Sequence, residues 1–274
     1  MSPATLSDRL RALFPDSSGR SLKQWLESGR VEVNGRVARD GRAVVRAHDR
    51  VELGGRGRVV FPKGLGLVYQ DDAIVVVDKP ARLLTVATER ERDRTAYRLL
   101  WDYLQAQRPR ARPFIVHRLD RETSGLLVFA KSPEAKQQLQ AQFEQRTVQR
   151  VYTALVKGHV LLQSGTLESR LVEDRSFRVH TARGPEGKAA VTRYRVLARG
   201  QDTTLLELSL DTGRRRQIRV QLEAIGHPIV GDREHGGPGG QFRRLCLHAT
   251  RLGFIHPGTG KAMRFESAAP AAWV

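Results

Sequence analysis

Residues 117–139 read His-Arg-Leu-Asp-Arg-Glu-Thr-Ser-Gly-Leu-Leu-Val-Phe-Ala-Lys-Ser-Pro-Glu-Ala-Lys-Gln-Gln-Leu. Charged groups come first. Gly125 to Ala130 then form an apolar run of strand length, suited to burial inside a sheet. Ser132-Pro133-Glu134 has the form of a helix start, with serine at the cap and proline in the first turn. Ala135, Leu139 and Phe143 follow at helical spacing as its buried face. The stretch therefore predicts a charged turn, an inner strand and an amphipathic helix in succession.

Working outward, Ala73 to Val77 is a second apolar run, and residues 204–210 alternate with Leu206, Leu208 and Leu210 on one side. Ile218, Leu222 and Ile225 mark another helix, ending at Gly226 ahead of Pro228. Strands and helices mix without strict alternation. The expected fold class is α+β, a mixed and largely antiparallel sheet over residues 59–274.

The first 58 residues read as a separate small α/β module and linker. Leu6, Leu10 and Leu13 fall at helical spacing, and a second short helix carries Leu22, Trp25 and Leu26 before Ser28-Gly29. Val31 to Val37 alternates around Asn34-Gly35, a strong hairpin signal, and Arg50 to Leu53 supplies a further strand. Gly54 to Arg58 is the expected tether.

Lys plus Arg number 47 against 29 Asp plus Glu, a formal net charge of +18, which predicts a polyanionic partner. Most of that excess lies beyond residue 58. No run approaches the ~20 apolar residues of a membrane-spanning helix, and the first residues lack the apolar core of a secretory signal. A single cysteine, Cys246, excludes an intramolecular disulfide and fits a reducing cytosol. His227, His235, His248 and His256 lack the spacing of a zinc-binding helix, and the glycine-rich Gly236–Gly240 is followed by no Lys-Ser/Thr pair, so it is no P-loop. No metal or other cofactor is expected.

Three clusters carry chemistry. Asp120 sits between Arg118 and Arg121, an environment that favours a charged carboxylate able to act as nucleophile or base; read alone, such an aspartate more often caps the Thr123-Ser124-Gly125 turn or pairs with a surface arginine. Thr212-Gly213-Arg214-Arg215-Arg216-Gln217-Ile218-Arg219 ends a strand and opens a helix, with Arg215 and Arg219 placed on one helical face. Its arginines suit phosphate contacts, and one buried arginine could hold a carboxylate bidentately. Tyr152, in Arg150-Val151-Tyr152-Thr153-Ala154-Leu155-Val156, shares a strand face with Ala154 and Val156, as a core residue or a platform for a base.

These clusters resemble one family. His117 to Leu127 is similar to the H-R-L-D-x-x-T-S-G-[LV]-[LIV] signature of RluA-type pseudouridine synthases, and the likeness extends to Asp78-Lys79-Pro80, Tyr152 to Gly158, Thr212 to Arg219, Gly226 to Asp232, Leu247-His248-Ala249 and His256-Pro257. Residues 21–35 resemble the RNA-binding module of the fourth small-subunit ribosomal protein. The resemblance implies that Asp120 is the essential aspartate, that Tyr152 stacks on the target base, that Arg219 pairs with the aspartate, and that Arg118 fills the space left by a flipped nucleotide. It implies further RNA contacts at His117, Arg214, Arg216 and Gln217, and at Arg20, Lys23 and Arg30 of the N-terminal module. The implied activity is isomerisation of uridine to pseudouridine in ribosomal RNA, with transfer RNA as the alternative target, by a cytoplasmic monomer. A non-catalytic RNA-binding or ribosome-assembly factor is the competing reading. The chain departs from the family at Arg215-Arg216, where Thr-His is usual, at Gln221, and at Arg82-Leu83, where glycine commonly follows Lys-Pro-Ala.

Overall fold

A computed structural model describes residues 4–54, 59–89, 91–108, 110–182, 184–236 and 242–273. Residues 55–58 of the expected tether and 237–240 of the glycine-rich loop lie outside the described residues. The chain divides into two compact units, Met1–Phe61 with Tyr103–Ala111, and Pro62–Asp102 with Arg112–Val274.

In the first unit, α1 (Leu6–Leu13) begins with a reciprocal cap in which Thr5 Oγ1 accepts the Asp8 N–H and the Asp8 carboxylate bonds back to Thr5. Leu6 and Leu10 are buried, but Leu13 is 44% exposed and contributes little to the core. The second helix, α2 (Gly19–Glu27), buries Leu22 and Leu26 beside them and is followed by Gly29 at φ +68°. Strands β1 (Val31–Val33) and β2 (Arg36–Val37) pair across Asn34 (φ +53°) and Gly35 (φ +76°). Both residues are left-handed, as an Asn-Gly turn of this hand requires. Strand β3 (Val51–Leu53) pairs antiparallel with the other side of β1.

The second unit is built on an eleven-stranded sheet. In chain order it contains β4 (Gly66–Gln70), β5 (Ile74–Lys79), β6 (Phe114–Ile115), β7 (Ser124–Ala130), β8 (Gln149–Lys157), β9 (Ser164–Glu173), β10 (Val179–Thr181), β11 (Lys188–Arg199), β12 (Thr203–Leu210), β13 (Leu247–Ile255) and β14 (Ala262–Glu266). Helix α3 (Ala96–Gln107) lies between β5 and β6, α4 (Pro133–Glu144) between β7 and β8, and α5 (Gln217–Ala224) between β12 and β13. The spatial order is β10-β9-β11-β12-β8-β13-β7-β5-β4, with β14 on β13 and β6 on β7. Among the described strands only β7 and β13 run parallel to each other. The sheet is thus mixed and largely antiparallel, as the sequence predicts.

Every residue of β7 is buried, because β5 and β13 flank its edges. Helix α4 caps on Ser132, whose Oγ accepts the Ala135 N–H at 3.1 Å, and sets Ala135 and Leu139 against Ile74, Val76, Leu126, Val128, Leu252 and Phe254. That cluster immobilises the strand into which the charged turn 117–123 feeds. Two apolar assignments need correction: Ile225 lies beyond the end of α5 and is 43% exposed, and Leu210 is only partly buried at the rim of a cleft.

Candidate active site

Asp120 lies in the turn between β6 and β7, and the main chain on both sides of it is pinned. Thr85 is buried; its hydroxyl donates to the Leu119 carbonyl at 2.8 Å and accepts the Leu119 N–H at 3.2 Å. On the other side, the Arg121 carbonyl accepts from the Arg82 N–H at 2.8 Å and from Lys79 Nζ at 3.3 Å. Lys79 is wholly buried and also donates to the carbonyls of Pro80 and Leu83. Burial draws the Lys79 pKa down to about 7, against the opposing charges of Asp120 and Glu122. Arg82, where glycine is usual, sits at φ +68°, a left-handed conformation in which a side chain is disfavoured. Its guanidinium donates to the Arg243 carbonyl.

The turn ends where β7 meets β13. Gly125 has φ +109°, and a Cβ there would fall 2.3 Å from the Ala249 carbonyl oxygen, so only glycine permits this approach. Beside it, Ser124 Oγ and His248 Nδ1 are 2.7 Å apart, His248 Nε2 reaches Ser267 Oγ at 3.0 Å, and Ser267 bonds to Asp78.

Arg219 projects from α5 and is almost fully buried. Its Nε–H and one Nη2–H donate to the two oxygens of Asp232, each at 2.7 Å, and Nη2 also donates to Glu234 at 2.6 Å. Nη1 faces Asp120 Oδ2 at 3.8 Å. Burial opposes the charge on Arg219, but the hydrogen bonds and charge of Asp232, then Glu234 and Asp120, outweigh it and hold the guanidinium pKa above its ordinary value. The same partnership holds Asp232 below the usual carboxylate range despite its burial.

Asp120, Tyr152 and Arg219 line one cleft of about 720 Å³, together with His117, Arg118 and Arg214 to Gln217. Tyr152 lies on β8 beside this cleft; burial, with a smaller contribution from Asp120, pushes its phenol pKa to about 12. Arg118 is exposed. Arg214 donates to the Ala189 carbonyl at 3.1 Å, Arg216 to Glu234 at 3.1 Å, and Arg215 pairs with Glu173.

Two expectations about these groups change. Arg215 and Arg219 do not share a helical face, because Arg216 caps α5 at φ +55° and Arg215 precedes the helix. Gln217 is not available for an RNA contact: its Oε1 accepts from Thr212 Oγ1 and the Arg214 N–H, and its Nε2 donates to the Val191 carbonyl and Thr192 Oγ1. It shapes the arginine turn from beneath. His117 lines the cleft partly buried, its Nε2 accepting the Val128 N–H at 3.2 Å and its ring stacked on Phe143. Burial, then the nearby Arg150, drives its pKa to about 3, so it offers phosphate no positive charge near neutrality.

In the first unit, Arg20 and Lys23 are exposed on α2, with Lys23 3.8 Å from Glu27, whereas Arg30 lies over the Trp25 ring at 5.8 Å. The four histidines weighed as metal ligands have separate partners: His227 the Lys157 carbonyl, His235 Glu223, His248 Ser124 and Ser267, and His256 Asp71. Sequence reasoning overlooked Thr85, Asp232 and Glu234 as supports of the site. Asp232 stood within the quoted Gly226–Asp232 motif, but nothing local marked it as the partner of Arg219.

Residues 73–224 match the family model for RNA pseudouridylate synthase. Over 293 residues the chain is 34% identical to ribosomal large subunit pseudouridine synthase D of Pasteurella multocida (strain Pm70), covering 98% of this chain and 89% of that protein. It is 37% identical over 279 residues to the protein of that name from Pseudomonas aeruginosa (strain PAO1), covering 94% and 86% respectively. It is also 35% identical over 270 residues to the uncharacterized RNA pseudouridine synthase YlyB of Bacillus subtilis (strain 168), covering 93% and 87%. The solved structure of human RNA pseudouridylate synthase domain containing 1 superposes with a TM-score of 0.62 at 26% identity, over 77% of this chain and 85% of that one. The match across most of the chain and the shared fold lead to one conclusion: the chain belongs to the RNA pseudouridylate synthase family and is an enzyme that isomerises uridine to pseudouridine.

Proposed function

We propose that the cleft isomerises uridine in large-subunit ribosomal RNA, with Asp120 as the nucleophile or base. The observation that carries this reading is the convergence of Asp120, Tyr152 and Arg219 on one cleft rimmed by arginines. The reaction breaks the bond between sugar C1′ and ring N1 and forms one between C1′ and ring C5; the C5 hydrogen leaves as a proton to solvent and N1 takes up a proton in its place. Atoms and electrons balance without a redox partner. A carboxylate can serve by attacking the sugar or ring, or by taking a proton from the sugar.

A uridine within a stem must leave its stack to reach Asp120, at a cost of a few kcal/mol that stacking and backbone contacts offset. Tyr152 presents a ring for that stacking, and Arg118 is the exposed group able to enter the vacated space. Arg214 and Arg216 are suited to the backbone. Arg20, Lys23 and Arg30 of the N-terminal module, whose residues 21–35 resemble a ribosomal RNA-binding module, would add further RNA contacts. The enzyme acts as a cytoplasmic monomer in this reading.

Purified enzyme incubated with unmodified large-subunit ribosomal RNA and transfer RNA transcripts carrying 5-tritiated uridine tests the target. Tritium release from the ribosomal transcript supports the reading. Release from transfer RNA alone moves the target, and binding to both without release favours an assembly factor.

A further inference from the structure

We infer that Asp232 is a positioning residue for the isomerisation, setting the distance between Arg219 and Asp120. The inference rests on the reading of the cleft as the site of reaction. The Asp232 side chain has no exposure to solvent, and both its oxygens bind Arg219 at 2.7 Å. Its Oδ1 also accepts the N–H groups of Glu234 at 3.1 Å and His235 at 3.2 Å, which fixes the carboxylate to its own turn. That turn is itself held close to the segment leading into β13, since a Cβ on Gly231 (φ +80°) would lie 1.9 Å from the Arg244 carbonyl oxygen. Asp232 is therefore a rigid support.

The consequence follows from how an arginine fork is shared. Asp232 takes the Nε and Nη2 edge, the edge best suited to a bidentate carboxylate. Nη1 is left to face Asp120 at 3.8 Å and has no hydrogen bond among the described residues. Without Asp232, a guanidinium buried this deeply would turn its open edge to the nearest remaining carboxylates, Asp120 among them. Asp120 would then be held as a tight partner, no longer free to reach the sugar. Glu234 cannot replace Asp232: its side chain is 51% exposed and it is shared with Arg216. The two acids divide the work, Asp232 fixing Arg219 in place and Glu234 offsetting charge at the rim.

Single-turnover tritium release from saturating ribosomal transcript tests this in the full chain. Asp232→Asn keeps an oxygen for the two backbone N–H groups but turns an amide toward Arg219. It is expected to slow release at least about 30-fold while the affinity for RNA stays within about threefold. Glu234→Gln is expected to slow it less than about fivefold. In an Arg219→Gln background, Asp232→Asn should add less than about threefold, because Asp232 acts through Arg219. A near-normal rate for Asp232→Asn, or losses that multiply in the double variant, would overturn the inference. Should Asp232→Asn fail to fold, hydrogen exchange of the Arg219 Nε–H in the wild-type protein decides. Slow exchange supports the clamp, and exchange as fast as that of exposed arginines contradicts it. Wild-type enzyme that releases no tritium overturns the reading of the substrate, and the exchange measurement still judges Asp232.

Discussion

Arg219 Nη1 stands 3.8 Å from Asp120 Oδ2, at the outer edge of an ion pair, while the same guanidinium is bonded to Asp232 at 2.7 Å. The arginine that the family resemblance pairs with the aspartate is thus principally the partner of another acid. Asp120 keeps an arginine within reach without being locked to it, which suits the proposed role of nucleophile or base.

Holding Asp120 there depends on its flanking peptide groups. Thr85→Val is nearly isosteric but strands the buried N–H and carbonyl of Leu119. Each lost partner costs about 1–3 kcal/mol. Urea denaturation should show a loss in this range or above, and turnover should fall more than RNA affinity. Unchanged stability would mean that Thr85 does not support the turn.

Gly125→Ala should be among the most damaging small changes in the chain. The added methyl meets the Ala249 backbone, and the left-handed φ penalises any side chain. A loss above about 3 kcal/mol, from the clash and the strain together, is expected in the same denaturation assay.

His117 gives the protein a defined acid sensitivity. Its folded pKa of about 3 lies below the ordinary histidine value of about 6.5, so the unfolded chain binds this proton first as pH falls. The stability linked to neutral His117 is complete above pH 6.5 and is lost as pH falls toward about 3, with a slope approaching about 1.4 kcal/mol per pH unit. His117→Gln retains an acceptor for the Val128 N–H without titrating. Its stability should fall less steeply than that of wild type across this window in pH-dependent thermal melts; parallel curves would refute the burial account.

Tyr152 separates stacking from its hydroxyl. Tyr152→Phe should bind RNA within about threefold of wild type, whereas Tyr152→Ala should weaken binding by the ~1–3 kcal/mol of a base–aromatic stack. Filter binding compares the two variants, and equal affinities would argue against a stacking role.

What could be read in advance was local. The Asn34-Gly35 hairpin, the Ser132 cap and the apolar run of β7 each depend on neighbours in sequence, and each forms as its residue types dictate. The supports of Asp120 arise from distant segments: Lys79 and Thr85 come from the end of β5 and the loop after it, and Asp232 from the turn that follows α5. No periodicity carries such information. Gln217 shows the same limit, since a motif position does not reveal that hydrogen bonds to Thr192 and Val191 already engage its side chain. Spacing alone places Arg215 on a helical face with Arg219 and does not show that Arg216 turns left-handed and delays the start of α5.

The central claim is that this chain makes pseudouridine through Asp120. Pseudouridine mapping by carbodiimide-stopped primer extension measures it directly, on total RNA from cells lacking the gene and complemented with wild type or Asp120→Asn. The account predicts one or a few large-subunit ribosomal sites that vanish with the gene, return with wild type, and stay absent with Asp120→Asn. Sites restored equally by both would contradict it.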